Sequence, residues 1–185
     1  LLAEAAPEAS SAFTAVEHSS IAMLTMAFAG PSLGDTSCAS GCLVPRDQGT
    51  LVSAVSYATS KWAQLRDPDR DDVILRTSVG RTGDVRFSDL DDAELTEQVL
   101  TDLDRIIGVR SAPTEVRIGR WMRSFPQYAP GHLERMDAVE ASLVGGPVRV
   151  AGMALRGVGI PACIRSAEAA VASLGVSWPT RRSLA

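Results

Sequence analysis

Val148-Arg-Val-Ala-Gly-Met-Ala-Leu-Arg-Gly-Val-Gly-Ile-Pro-Ala-Cys-Ile-Arg-Ser166 is where the sequence points to chemistry as well as to packing, and the other segments are read outward from it. Val148 to Ala151 has the apolar, β-branched character of a short buried strand. Gly152 to Gly159 is punctuated by glycine and reads as a loop. Pro161, with φ already near the helical value and no N–H to satisfy, suits the first turn of a helix running to about Leu174, where Gly175 stops it. Strand, tight loop and helix N-terminus in succession put unpaired N–H groups and the positive end of a helix dipole at the loop. Such a place suits an anion or an electron-rich ring.

Within this stretch Gly157-Val-Gly-Ile-Pro-Ala162 fits the spacing G-x-G-x-x-(G/A), which in a strand–loop–helix unit cradles a dinucleotide pyrophosphate. The literal reading fails on two counts. That unit needs a further strand carrying Asp or Glu about 20 residues on, and here the region is Ser177-Trp-Pro-Thr-Arg-Arg182. Pro161 also removes an N–H that a pyrophosphate would use. An ordinary glycine turn between a strand and a core helix accounts for the same residues.

The 185 residues, 45% hydrophobic and 22% charged, are enough for one good core or two small ones. A net charge of -4, with no Lys/Arg cluster interleaved with aromatics, excludes general nucleic-acid binding. Lys61 is the one lysine among 18 basic residues, a skew that reflects base composition rather than mechanism. Three cysteines, Cys38, Cys42 and Cys163, make no disulfide framework, so a reducing, cytoplasmic setting is expected. His18 and His132 stand at no metal-ligand spacing, and no metal site is expected. No apolar run reaches the roughly 18 residues of a spanning helix, so membrane contact is expected to be peripheral at most.

In chain order, Pro7 to Val16 reads as a short helix and Ser19 to Phe28 as a strand buried on both faces. Gly30-Pro31 and Gly34-Asp35 end that strand, and a loop continues to Ser40. Cys42 to Pro45 and Leu51 to Thr59 read as two strands joined around Arg46-Asp-Gln-Gly49, and Arg66 to Asp72 as an exposed loop before a strand from Val73 to Val79. The clearest helix is Asp91 to Ile107, with Leu95, Val99, Leu103 and Ile106 at steps of three to four; Ser88-Asp-Leu-Asp91 looks like its capping box. Thr114 to Trp121 reads as a strand. Gly131 to Val144 reads as a helix with Leu133, Met136, Val139 and Leu143 inward and His132 as a surface residue at its start. Hydrolytic chemistry is unsupported, for there is no G-x-S-x-G elbow and neither histidine has a triad context.

Gly157-Val-Gly-Ile-Pro-Ala-Cys-Ile164 followed by Ser166 resembles the C-terminal motif of the flavin-dependent porphyrinogen oxidases, the protoporphyrinogen and coproporphyrinogen oxidases of haem synthesis. Three further blocks resemble that family in the same order: Ser40-Gly-Cys-Leu-Val-Pro45, Tyr57-Ala-Thr-Ser-Lys-Trp62 as the strand that follows it, and Arg120-Trp121 with Pro126-Gln-Tyr128 and Gly131-His132. The resemblance spans roughly residues 17 to 174. It also marks the chain as a piece of such an enzyme, because the family begins with a Rossmann strand and glycine motif that these residues do not contain.

What the resemblance implies is an α+β architecture. Residues 18–119 would form a substrate domain, a mixed, largely antiparallel sheet with packed helices, while 1–17 and 120–185 would be segments of an FAD domain. It implies that Trp121, Gly152, Met153, Val158, Gly159 and Ile160 line FAD, and that Gly41, Leu43 and Ser78 border the porphyrinogen. Without the family, Trp121 is as readily a core residue. No catalytic side chain is identified, and no basic group for the macrocycle's propionates. The expected partners are the porphyrinogen and an N-terminal segment or partner chain, with self-association left open and poor solubility expected of the chain alone. The competing reading is a stand-alone, non-catalytic α+β binding or assembly domain.

Overall fold

The computed structural model describes residues 2–30 and 39–175. The loop expected up to Ser40, with Cys38, and the segment from Ser177 to Arg182 fall largely outside them. The chain divides into two compact units, one of Leu1–His18 with Phe125–Ala185 and one of Ser19–Ser124.

The Ser19–Ser124 unit is a five-stranded sheet with one long helix. β1 (His18–Phe28), β2 (Gly41–Leu43), β3 (Val52–Tyr57), β4 (Val73–Val79) and β5 (Glu115–Pro126) stand in the order β2-β3-β4-β1-β5. The pairs β2–β3, β3–β4 and β1–β4 are antiparallel. β5 also runs against β1, since Thr114 N–H donates to the Ala27 carbonyl at one end and Arg123 N–H to Ser20 Oγ at the other. Alternation explains the layering. Ala22, Leu24, Met26 and Phe28 of β1, Val55 and Tyr57 of β3 and Leu75 and Val79 of β4 form one core with Leu95, Val99 and Leu103 of the helix α4 (Asp92–Ile107). β1 is therefore not buried on both faces as its composition suggested; Ile21, Met23, Thr25 and Ala27 on its other side are only half-buried.

The start of α4 is set by chemistry three residues later than expected. Asp91 Oδ1 accepts from the N–H groups of Ala93 and Glu94, and Glu94 Oε2 accepts from Asp91 N–H, so the capping box is Asp91–Glu94, not Ser88–Asp91. Asp102, fully buried on α4, accepts from Leu51 N–H at 2.8 Å and Val52 N–H at 3.2 Å and so ties helix to sheet where β3 begins. Two strand boundaries also shift. β3 stops at Tyr57, where the chain turns into a one-turn helix α3 (Ala58–Lys61), and β5 runs on to Pro126, with Arg123 at φ 46° breaking its regular pleat.

The other unit is helical: α1 (Leu2–Ala5), α2 (Pro7–Thr14), α5 (His132–Ser142), a single turn α6 (Met153–Arg156) and α7 (Ile160–Ser173). Ala9, Val16, Met136, Val139, Leu143 and Leu155 make its small core. Val148 to Ala151, expected as a strand, is not one, because no neighbouring strand offers it a ladder among the described residues. Arg149 shapes this segment instead, donating to the carbonyls of Leu143, Gly146 and Val148 and, through Nε, to Ser173 Oγ. On α5 Met136 and Val139, and Leu143 just beyond its end, are inward as expected, but at its start Leu133 is 53% exposed and His132 only 4%. The imidazole wins the inside position because it finds a hydrogen-bond partner there.

Candidate functional site

The loop expected to carry chemistry is not a bare glycine turn. Gly152 at φ 118° and Gly157 at φ 156° bracket α6, and a Cβ on Gly157 would lie 2.8 Å from Ala162 Cβ, so a side chain there would push the loop off α7. Gly159 N-caps α7 without any side-chain cap, and the Gly159 carbonyl accepts from the Ala162 and Cys163 N–H groups at 3.0 Å. The first turn of α7 thus keeps the N–H of Ile160 and the positive dipole end free of side-chain capping.

This loop is held from behind along its length. Ser166 Oγ accepts from Gly152 N–H at 2.9 Å while donating to the Cys163 carbonyl, tying the loop's first residue to α7. Tyr128 Oη donates to the Met153 carbonyl, and Arg156 pairs with Asp137 and Glu140 of α5. His132 Nε2 lies 2.8 Å from the Leu155 carbonyl. A carbonyl only accepts, so Nε2 carries the proton and Nδ1 is a bare acceptor, buried without a partner. The Tyr128 and His132 rings stack at 4.1 Å with 12° between their planes, so the two donors brace each other. The Leu155 side chain is buried beneath, whereas Met153, Val158 and Ile160 are 40%, 38% and 76% exposed. The result is a rigid apolar ledge beside an uncapped helix start. Exposed apolar side chains at Met153, Val158 and Ile160, the Ile160 N–H, and backbone at Gly152 and Gly159 with no heavy atom closer than 3.8 Å to where a Cβ would stand are features that fit a flat, electron-rich ring.

Trp121, the remaining residue expected at the cofactor, belongs to the other compact unit. It is half-exposed on β5, and its ring lies over Gly119, where a Cβ would come within 2.6 Å of the indole.

Gly41, Leu43 and Ser78 are brought together on one side of the sheet, the side turned away from α4. Gly41 pairs with Ser56 and Leu43 with Ala54 across β2–β3, and Ala54 pairs with Ser78 across β3–β4. Gly41 has a steric reason, since at φ 144° a Cβ would meet the Val55 carbonyl oxygen at 2.1 Å. Leu43 is largely exposed. Cys42, between them, points the other way into the core, where burial pushes its thiol pKa up, with the Val55 backbone opposing. Burial, and secondarily the nearby Cys42, raises the Tyr57 hydroxyl as well.

Sequence reasoning gave Tyr128, Ser166 and Arg156 no part in bracing the loop and read His132 chiefly as a surface residue, although Tyr128, His132 and Ser166 stand inside the motif blocks themselves. For Tyr128 and His132 the signal was an aromatic shortly before a histidine at a helix start, whose rings stack here although Tyr128 lies outside α5; Ser166 and Arg156 carried none.

Among known proteins, the model of the flavin containing amine oxidoreductase family matches residues 2–174. Coproporphyrinogen III oxidase of Mycobacterium tuberculosis is 36% identical over 135 residues, covering 73% of this chain and 29% of that protein. The Bacillus subtilis coproporphyrinogen III oxidase is 28% identical over 158 residues, 84% of this chain and 33% of its own length. A solved structure assigned as a protoporphyrinogen oxidase from Exiguobacterium superposes with a TM-score of 0.76 at 30% identity, over 87% of this chain and 35% of that one. Reduced UDP-galactopyranose mutase, at 10% identity and TM-score 0.62, shares the fold alone. The chain thus spans about a third of the length of the relatives it matches. No helix among the described residues is long and apolar enough to cross a membrane, and no group of three or more metal-ligating side chains occurs among them.

Proposed function

Because the chain belongs to the flavin containing amine oxidoreductase family, we propose that it supplies the porphyrinogen-binding sheet and the C-terminal flavin-contacting segment of an FAD-dependent oxidase. The substrate would be coproporphyrinogen or protoporphyrinogen, the macrocycle being converted to the porphyrin on the way to haem in the cytoplasm. Relatives named coproporphyrinogen III oxidase at 36% and 28% identity support that substrate class.

FAD, when bound, accepts hydride from the porphyrinogen in successive two-electron steps and is reoxidised by O2 or another acceptor. This chain's own residues orient and exclude. Gly152 to Ile160 presents an apolar ledge that keeps water from one side of the ring, and the start of α7 sets the Ile160 N–H and a positive dipole end beside it. The sheet side with Gly41, Leu43 and Ser78 offers walls for a flat ring. In this reading residues 1–17 and 120–185 are flavin-domain segments and 18–119 the substrate domain; the separation of Ser19–Ser124 from the two end segments agrees with that outline, but it keeps residues 120–124, with Trp121, on the sheet's side. The dinucleotide anchor, a Rossmann glycine loop, would come from an N-terminal segment or partner chain.

One observation carries the reading: the loop that exposes Met153, Val158 and Ile160 is braced by four separate polar contacts, from Ser166, Tyr128, His132 and Arg156, which an ordinary connecting turn has no need of. The test is to assemble the chain with a dinucleotide-binding segment of the family, add coproporphyrinogen III and follow porphyrin fluorescence. Turnover that depends on both parts supports the proposal. An assembled, FAD-loaded protein that oxidises neither coproporphyrinogen III nor, in a parallel assay, protoporphyrinogen IX would leave the binding or assembly domain as the better reading.

A further inference from the structure

The porphyrinogens carry propionate carboxylates, and an apolar macrocycle site needs a cation to receive them. The candidate lies in the middle strand of the sheet. Arg76 of β4 pairs across the ladder with Ser56 on one side and Thr25 on the other, and Ser56 pairs with Gly41. The row Gly41–Ser56–Arg76–Thr25 therefore adjoins the row Leu43–Ala54–Ser78–Met23, two residues along and on the same side. Arg76 stands among the three residues that the resemblance places at the substrate, and no carboxylate occupies either row.

Its hydrogen bonding singles it out further. Four arginines are half-buried among the described residues: Arg76, Arg81, Arg120 and Arg149. Arg81 donates to the Val44 and Val52 carbonyls, Arg120 to Asp92 and the Phe87 carbonyl, and Arg149 to the carbonyls that end α5. Among the described residues Arg76 donates only to Met23 Sδ, at 2.8 Å. A thioether is a weak acceptor, so this half-buried guanidinium keeps most of its five N–H donors without a protein oxygen among the described residues and free to meet an anion. Lys61, the one lysine of the chain, lines a shallow cavity of about 230 Å³ with Gly41, Leu43 and Ser56.

We propose that Arg76 binds a propionate carboxylate of the tetrapyrrole, with Lys61 as a second, exposed cation at the rim of the same site. The inference rests on the porphyrinogen reading and adds the group that anchors and orients the ring. A planar fork on a central strand can take a carboxylate through two parallel N–H bonds, which fixes direction as well as affinity, whereas the lysine gives a point charge.

The test is a fluorescence titration of the chain with coproporphyrin III and, separately, with its tetramethyl ester, which keeps the ring and loses the charges. For Arg76→Gln, affinity for the acid should fall about 10- to 100-fold while affinity for the ester stays the same. Arg76→Lys should recover part of the loss, Lys61→Gln should cost less, and the melting temperature should hold because Arg76 gives up only a sulfur contact. Equal weakening toward acid and ester would mean a packing role and overturn the proposal, as would acid binding unchanged in Arg76→Gln. If the wild-type chain binds neither compound, the porphyrinogen reading itself falls, and the proposal with it.

Discussion

Replacing His132 by phenylalanine separates the brace beneath the loop from the packing around it. The phenyl ring keeps the stack on Tyr128 at 4.1 Å and fills the buried space, but the donor 2.8 Å from the Leu155 carbonyl is gone. A buried carbonyl left without its donor costs about 1–3 kcal/mol. Against this, the substitution also removes Nδ1, a buried acceptor without a partner, which offsets part of the loss. Global stability should therefore fall by only about 1 kcal/mol, while local opening of the loop becomes easier by the full hydrogen bond, about 10- to 100-fold in population. Native-state hydrogen exchange on peptides covering residues 150–160 reads the second effect, and denaturant unfolding the first. His132→Ala, which also loses the stack and leaves a cavity, should cost about 3 kcal/mol. Exchange in the loop unchanged by His132→Phe, or a loss of protection spread equally over α4 and β4, would refute the claim that His132 acts on the loop.

Thr77 lies fully buried on the core side of β4 with no partner for its hydroxyl, so Thr77→Val should raise stability by about 1 kcal/mol in chemical denaturation. Asp102→Ala leaves the N–H groups of Leu51 and Val52 buried and unanswered and should lower stability by about 3 kcal/mol; Asp102→Asn, which keeps an oxygen acceptor, should lose less than half of that. Burial raises the Cys42 thiol pKa, so at pH 8 the folded chain holds less Cys42 thiolate than an unfolded one. Alkylation of Cys42 by iodoacetamide should be slow at pH 8, rise with pH to beyond the ordinary cysteine range, and quicken on unfolding.

The sheet was legible because its strands announce themselves by β-branched runs ended with glycine or proline, and α4 because Leu95, Val99 and Leu103 repeat at helical spacing behind an acidic first turn. Periodicity placed Met136, Val139 and Leu143 inward correctly but misassigned the start of α5 for a definite reason. Leu133 and His132 are adjacent, hydrophobicity ranks leucine inside, and only the distant Leu155 carbonyl, 23 residues on, reverses that order. Val148 to Ala151 has strand composition but no strand beside it, and pairing is a property of the neighbour as much as of the segment. The motif residues of the candidate site were named from resemblance, whereas nothing in the sequence singled out Arg76. An arginine in an alternating strand looks like any exposed cation until the ladder shows Gly41, Ser56 and Ser78 around it.

The division of the flavin site between this chain and a dinucleotide-binding segment is tested most directly by the affinity of the isolated 185-residue chain for FAD. Under the proposed function most of that affinity should come from a pyrophosphate on a Rossmann glycine loop, with Gly152 to Ile160 meeting only the ring end. Losing the anchor removes several kcal/mol, with each 1.4 kcal/mol about tenfold in Kd. Equilibrium dialysis should find a colourless chain with very weak FAD binding, and stoichiometric, tightly held FAD once the dinucleotide-binding segment is added. A chain that is yellow by itself, with stoichiometric FAD and porphyrinogen turnover, would contradict the account.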